Sequence, residues 1–479
     1  MKPYTICTLM LMLIISLSTA FINPNTNALQ PSPKDSTIFN CSLDLRNALF
    51  SLDSLTDTKA IIYGKTNPGF SDVEYFADCN GFINTYCKAD TSFLFYNVYY
   101  PKNHNYDSCP LPAVIMFHGG GFSDCKPIDT AIDIRYICNE LARRGFVVFN
   151  INYRTGSMYD FVDPTYTSAQ QVLALYRAAQ DGRGAVRSII KRARNRNHFH
   201  DVYKIDTSNI FLAGASAGSA IALNIAYYQS QAMIDSVSPG VRNVLGSINQ
   251  DYYYGDTTIQ YQKKIRGIMN MWGNMFIPLS AYPDPTKFFS KNINNPPVIS
   301  FHGLLDSIEP YGITPIKFSP NNILHSIYNS ETHCLVSGSR YKLYPKNSGP
   351  DMYSSGSQNI YSFLKQKNIP TELYLDCQMG HGPDNTTDTS LFKSDFGTGF
   401  TNADAVNLYM VQRTVIFFQA VVNDIAKNLI TTRFTECENK RVGCSAANNN
   451  NGCSNKDSCA IPAISMSDAR YRLPVSSHR

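Results

Sequence analysis

Charged residues are scarce in this sequence. Asp, Glu, Lys and Arg make up 16% of its 479 residues, and the net charge is only +5. No basic block is dense enough to form an electrostatic footprint for nucleic acid. The nearest approach, Lys191-Arg192-Ala193-Arg194-Asn195-Arg196, reads as the solvated end of a helix. Tryptophan occurs once, at position 272. Beyond residue 20 no segment stays apolar long enough to cross a bilayer, so no integral membrane segment is expected once the leader is removed. Internal repeats are absent, which excludes solenoids and propellers. Within residues 431–479 no histidine lies among Cys437, Cys444, Cys453 and Cys459, which surround an asparagine run. Two disulfides are expected in that Cys-rich tail rather than a zinc site.

What is present begins with a leader. Lys2 gives a positive start, Ile6 to Leu17 an apolar core, and Ser18-Thr19-Ala20 a small-residue cleavage site, so residues 1–20 read as a secretory signal peptide. A secreted, extracellular or periplasmic location follows as the expectation. Of the thirteen cysteines, Cys7 leaves with the leader, and an even number remains for disulfides. The short separations Cys79/Cys87 and Cys109/Cys125 suit loops, whereas Cys138 falls on an apolar helix face and reads as core. Asn40 and Asn385 stand in glycosylation sequons.

Residues 21–92 read as an N-terminal extension, polar at first and helix-like towards residue 60. Phe93 to Tyr100 is a strand ended by Pro101, and Ala113 to Phe117 is a continuous apolar strand of the kind found at the centre of a parallel sheet. A helix is expected from about Asp129 to Arg144, with Ile134, Ile137, Cys138 and Leu141 on one face. Strands follow at Phe146 to Tyr153, Asn209 to Ala213, Ile265 to Trp272, Pro297 to Phe301 and Glu372 to Leu375. Ser168 to Ala193 reads as helical, with two interior glycines, Gly182 and Gly184, that weaken the case for an unbroken helix. A closing helix from Asn402 to Ile430 carries Leu408, Val411, Val415, Phe418, Val422, Ile425 and Leu429 as one stripe. This alternation predicts an α/β fold with a mostly parallel central sheet and helices on both faces.

Three loop tips carry chemistry. Gly214-Ala215-Ser216-Ala217-Gly218 lies between a strand and a helix. A serine at such a turn is held in a strained conformation with its hydroxyl exposed, and it serves as a nucleophile when a base and an oxyanion site converge on it. By itself the motif arises by chance in roughly one chain in ten of this length. His118-Gly119-Gly120-Gly121-Phe122 follows a strand, and its glycines let backbone N–H groups face inward. Asp306 sits in the loop after a strand ending in His302, as an acid to orient an imidazole; Glu309 is the fallback, and His302 reads as a brace for that loop. His381, flanked by Gly380 and Gly382, follows the last strand. Met271 and Trp272 are weaker candidates for a pocket wall, with core packing as the plainer alternative.

These stretches together resemble the α/β-hydrolase superfamily, in its carboxylesterase/lipase branch with a His-Gly-Gly-Gly-Phe motif. The resemblance covers residues 93–430, taken as the catalytic domain. It includes Asn152-Tyr153-Arg154 and Gln180-Asp181-Gly182-Arg183-Gly184-Ala185 besides the loops already named. It implies that Gly120, Gly121 and Ala217 donate to an oxyanion, with Gly119 shaping the turn. The chain departs from the pattern in its N-terminal 70 residues, in the long polar stretch from Tyr311 to Ser357, and in its tail. The resulting expectation is a secreted serine hydrolase of carboxylic esters, with a Ser216-Asp306-His381 triad and no metal or organic cofactor. Its substrate would be a small-molecule or polymer-borne ester. A peptidase of the same fold and a non-catalytic adhesion protein on a hydrolase scaffold are the alternatives.

Overall fold

The computed structural model describes residues 48–65, 93–122, 132–155, 164–195, 199, 201–238, 241–249, 257–278, 289, 294–303, 306, 308–309, 311–316, 352–376, 379–383 and 403–423. The leader, Asn40, Cys79, Cys87, Cys125, Asn385 and the tail 431–479 lie outside them. Clustering divides the chain into two compact units, Met1–Ser42 and Leu43–Arg479, and every described residue belongs to the second.

Eight strands form one sheet: β1 (Leu55–Lys65), β2 (Phe93–Pro101), β3 (Leu111–Phe117), β4 (Val147–Ile151), β5 (Ile205–Ala215), β6 (Ile265–Met271), β8 (Val298–Gly303) and β11 (Thr371–Asp376). Their spatial order is β1-β2-β4-β3-β5-β6-β8-β11. β2 pairs antiparallel with both β1 and β4, and every pairing from β4 to β11 is parallel. All residues of β3 and β4 are buried, as continuous apolar runs covered on both faces must be.

Among the described residues seven helices accompany the sheet: α1 (Ile132–Ala142), α2 (Pro164–Arg194), α3 (Ala217–Tyr227), α4 (Gln231–Asp235), α5 (Val241–Leu245), α6 (Ser357–Gln366) and α7 (Ala403–Val422). α1 packs against α7, and α2 against α3. Phe418 of α7 stacks on Phe211 of β5 at 4.0 Å, a pairing worth about 0.5–1.5 kcal/mol beyond its area. Among the described residues no helix is long and apolar enough to cross a membrane. Cys138 is the buried free thiol that its helix position suggested, and Cys109 is disulfide-bonded.

One expectation needs correction, and two other stretches gain a structural reading. Where it is described, the stretch before residue 60 holds a single 3-10 turn, Leu52–Ser54, and then a strand rather than a helix. Residues 55–65 form β1, whose register against β2 slips twice, so the sheet begins before residue 93. The second slip lies beside Tyr63, which is buried, stacks on Tyr96 and donates to Asn152 O at 2.7 Å. Gly182 does not interrupt α2. A Cβ there would come within 2.5 Å of Ile225 Cδ1 and 3.1 Å of Phe117 Cε1, so the glycine lets α2 sit close on α3 and β3. The polar stretch from Tyr311 contributes β9 (Ile313–Ile316) and β10 (Met352–Ser355), which join β7 (Met275–Pro278) in a small antiparallel sheet.

The strand order places the candidate residues. From β3 the chain moves to β4 on one side, and from β5 it moves to β6 on the other. Where strand order reverses, the loops at the carboxyl ends diverge and leave a crevice. The loop at His118 and the turn at Ser216 flank that crevice.

Candidate active site

Ser216 occupies the turn between β5 and α3 with φ 53° and ψ −123°, a conformation that a non-glycine residue holds only under constraint. The constraint is visible. Ser216 N–H donates to Met271 O at 2.9 Å, and Ser216 O accepts from Ala220 N–H at 3.1 Å. A Cβ on Gly214 would lie 2.3 Å from the Gly218 carbonyl, so the turn closes only on glycine. Ser216 stands at the N-cap position of α3, yet its side chain makes no capping bond.

Its hydroxyl is directed elsewhere. Ser216 Oγ lies 2.8 Å from His381 Nε2, and His381 Nδ1 lies 2.9 Å from Asp306 Oδ2. The three residues predicted from sequence therefore converge, from loops after β5, β8 and β11. Gly303 makes the approach feasible, because a Cβ there would lie 2.1 Å from Met379 O and 2.3 Å from Gly380 O. Asp306 accepts from Ile308 N–H at 2.9 Å and Glu309 N–H at 2.8 Å through Oδ1. Burial alone would raise its pKa, but hydrogen bonds from His302 and His381 prevail and hold the carboxyl well below the usual range. Asp306 is thus the acid facing the imidazole. Glu309 is not: its carboxylate accepts from Asn274 Nδ2, and burial with the nearby Asp306 charge pushes its pKa up to about 8. His302 braces the loop as expected, with Nε2 2.6 Å from Glu309 O.

The glycine loop after β3 has positive φ at Gly120 (108°), Gly121 (60°) and Phe122 (61°). Tyr153 fixes it. Its hydroxyl donates to His118 O at 2.7 Å, and its ring stacks on His118 at 4.3 Å. The next residue, Arg154, makes two close side-chain bonds to Asp181 Oδ1, at 2.9 and 2.6 Å, and its backbone N–H reaches Asp181 Oδ2 at 2.7 Å. This buried pair accounts for the two motifs that carry no chemistry themselves: they anchor the strand end from which Tyr153 holds the loop. Ala217 is the first residue of α3, a position whose N–H has no intrahelical acceptor.

Trp272 has φ 42°, and its N–H donates to Phe301 O at 2.7 Å. Its indole lies against Gly382, where a Cβ would be 3.1 Å from Trp272 Cζ2. It thus stands beside the His381 loop and not in the middle of a layer. Sequence reasoning missed Asn270, Asn274 and Ser357, which support this cluster from a strand, the loop after it and the start of a helix, with no motif of their own. Among the described residues no group of three or more His, Cys, Asp or Glu side chains converges to hold a metal ion.

The BD-FAE family model, that of an α/β-hydrolase-like family, matches residues 96–314. That span takes in Ser216 and Asp306 and ends before His381. No curated protein matches the chain. Among solved structures, the tributyrin phosphonate complex of esterase B from Lactobacillus rhamnosis is similar at 15% identity with a TM-score of 0.38, over 78% of this chain and 87% of that one. The propionate-bound esterase Est2 of Thermogutta terrifontis is similar at 17% identity with a TM-score of 0.39, over 69% of this chain and 92% of that one. The same esterase phosphoramylated by tabun is similar at 17% identity and a TM-score of 0.38, over 69% and 92%.

Proposed function

We propose that this chain is a serine hydrolase of carboxylic esters working through an acyl-enzyme, a reading supported by the family-model match over residues 96–314. The observation that carries this reading is His381 within hydrogen-bonding distance of both Ser216 Oγ and Asp306 Oδ2. Ser216 Oγ attacks the ester carbonyl carbon while its proton passes to His381 Nε2. Asp306, whose carboxyl is held well below the usual range by its hydrogen bonds, stabilises the imidazolium and holds His381 with its proton on Nδ1. The tetrahedral oxyanion is received by the backbone N–H groups of Gly120, Gly121 and Ala217, and the N-terminal end of α3 favours its charge. Collapse expels the alcohol, which takes the proton from Nε2. Water, deprotonated by the same imidazole, attacks the acyl-enzyme, and the second collapse frees Ser216 and the acid.

The substrate is a small-molecule or polymer-borne ester. Of the stretch from Tyr311 to Ser357, β9 and β10 pair with each other and β10 with β7, which begins three residues after Trp272. Export follows from the leader, and N-terminal sequencing of culture-medium protein would show a start near Phe21. The decisive measurement is turnover of a p-nitrophenyl ester by Ser216→Ala. A loss of roughly 10⁴-fold or more is expected, and unchanged turnover would end the assignment. Short-acyl, acetylated-sugar and feruloylated esters, compared in kcat/KM, would identify the substrate class.

A further inference from the structure

A buried hydrogen-bond chain runs beneath the site, and the chemistry above does not use it. It begins at Asn270 in β6, whose Oδ1 accepts from Gly273 N–H at 3.1 Å. That bond orients the amide, so Nδ2 faces Ser300 Oγ at 3.1 Å and Ser357 Oγ at 3.0 Å. Ser357 opens α6, and its Oγ lies 2.7 Å from His302 Nδ1. His302 Nε2 lies 2.6 Å from Glu309 O and 3.3 Å from Asp306 Oδ2. Asn270, Ser300, His302 and Ser357 are all buried.

The protons can be assigned in turn. His302 Nε2 faces a carbonyl oxygen and a carboxylate, both acceptors, so it carries hydrogen. Ser357 Oγ accepts from Asn270, and its own proton has His302 Nδ1 as a partner within reach. In that arrangement Nδ1 is the acceptor, Nε2 carries the hydrogen, and every proton in the chain has a partner. An imidazolium would turn Nδ1–H onto Ser357 Oγ and take away the acceptor that Ser357's proton uses. At the far end, Asp306 receives four donors. Two backbone N–H groups meet Oδ1, and the two imidazoles meet Oδ2. Four donors on two oxygens leave the carboxylate one orientation.

We infer that His302 is a positioning residue for Asp306, with its tautomer set by Ser357 and Asn270, and that this chain keeps Oδ2 where His381 meets it. Its kinetic consequence rests on the hydrolase reading; the tautomer does not.

Two measurements test it. In protein labelled with ¹⁵N-histidine, the His302 signals, identified by their loss in His302→Gln, should show a bare Nδ1 and a protonated Nε2 at neutral pH. An Nδ1–H tautomer or an imidazolium there would overturn the inference. In kinetics, Ser357→Ala should lower kcat on p-nitrophenyl acetate about tenfold per fluorophosphonate-titrated site, with KM unchanged. Ser357→Thr, which keeps the hydroxyl, should recover most of the loss. A merely structural role would reduce the number of titratable sites and leave kcat per site alone, and that result would also overturn the inference. If Ser357→Ala does not fold, His302→Gln supplies the same kinetic comparison. Should the wild-type protein neither label at Ser216 nor turn over any ester, the hydrolase reading fails, and the nuclear magnetic resonance result still decides the tautomer.

Discussion

Replacing Gly218 by Ala would test the site with a single methyl group. Gly218 is the second residue of α3, so alanine costs nothing in helical backbone conformation. The cost is steric. A Cβ there would lie 2.1 Å from Phe117 O, 2.5 Å from His118 O and 2.6 Å from Phe117 C. Non-bonded heavy atoms settle near 3.5 Å, so the first turn of α3 and the end of β3 must part by about 1 Å. One side carries Ser216 and Ala217, and the other leads into Gly119, Gly120 and Gly121. A misplacement of about 1 Å costs about 10²-fold in rate, or about 2.7 kcal/mol in the barrier. Overpacking should lower stability by about 1–3 kcal/mol as well. Gly267→Ala separates the two effects. In the middle of β6 its Cβ would meet ring atoms of Phe211 and Phe418 at 3.3 Å, far from the loops. It should lower the melting temperature and leave kcat within about twofold, a loss of at most about 0.4 kcal/mol. The assay is p-nitrophenyl acetate hydrolysis well below either variant's unfolding midpoint, normalised to fluorophosphonate-titrated sites. A folded Gly218→Ala within threefold of wild-type kcat, or a Gly267→Ala that loses as much as Gly218→Ala, refutes the reasoning.

Two further perturbations follow from the packing. Burial and the Asp306 charge push Glu309 up to about 8, so folding favours its protonated form. Its contribution is intact below the unfolded pKa, near 4.3, and is lost as pH rises through about 8. Glu309→Gln, neutral throughout, should therefore exceed the wild type in melting temperature by more at pH 9 than at pH 5; an equal offset at both would contradict the assignment. Asp181→Ala strips Arg154 of its buried carboxylate and should cost about 3–5 kcal/mol in denaturant unfolding. A loss under about 1 kcal/mol would mean that the pair does not anchor the strand end behind Tyr153.

The meeting of Ser216, Asp306 and His381 was legible because each sits at a strand end where local sequence and chemistry agree. Ser216 needs glycines two residues to either side, and His381 is flanked by glycines at a loop tip. Even the preference for Asp306 over Glu309 could be read from its distance to the strand. The supporting residues could not. Asn270 and Ser357 are 87 positions apart and meet only because β6 and the start of α6 both flank β8. The edge strand β1 was misread because its irregular register hides the period-two pattern that marks a strand. β7, β9 and β10 are four residues each, too short for periodicity, and pair across long stretches of chain. Gly182 carried a true signal with the wrong cause: the sequence marks the missing side chain, and only the neighbouring helix explains it.

Trp272 is the sole indole in the protein, and it rests on the glycine next to His381. Light emitted beyond the tyrosine band therefore comes from one known place. Proton uptake by the imidazole, a bound acid or a phosphonylated serine would each alter the surroundings of that single fluorophore. The native chain thus carries its own optical reporter, so turnover and inhibition can be followed without attaching a dye.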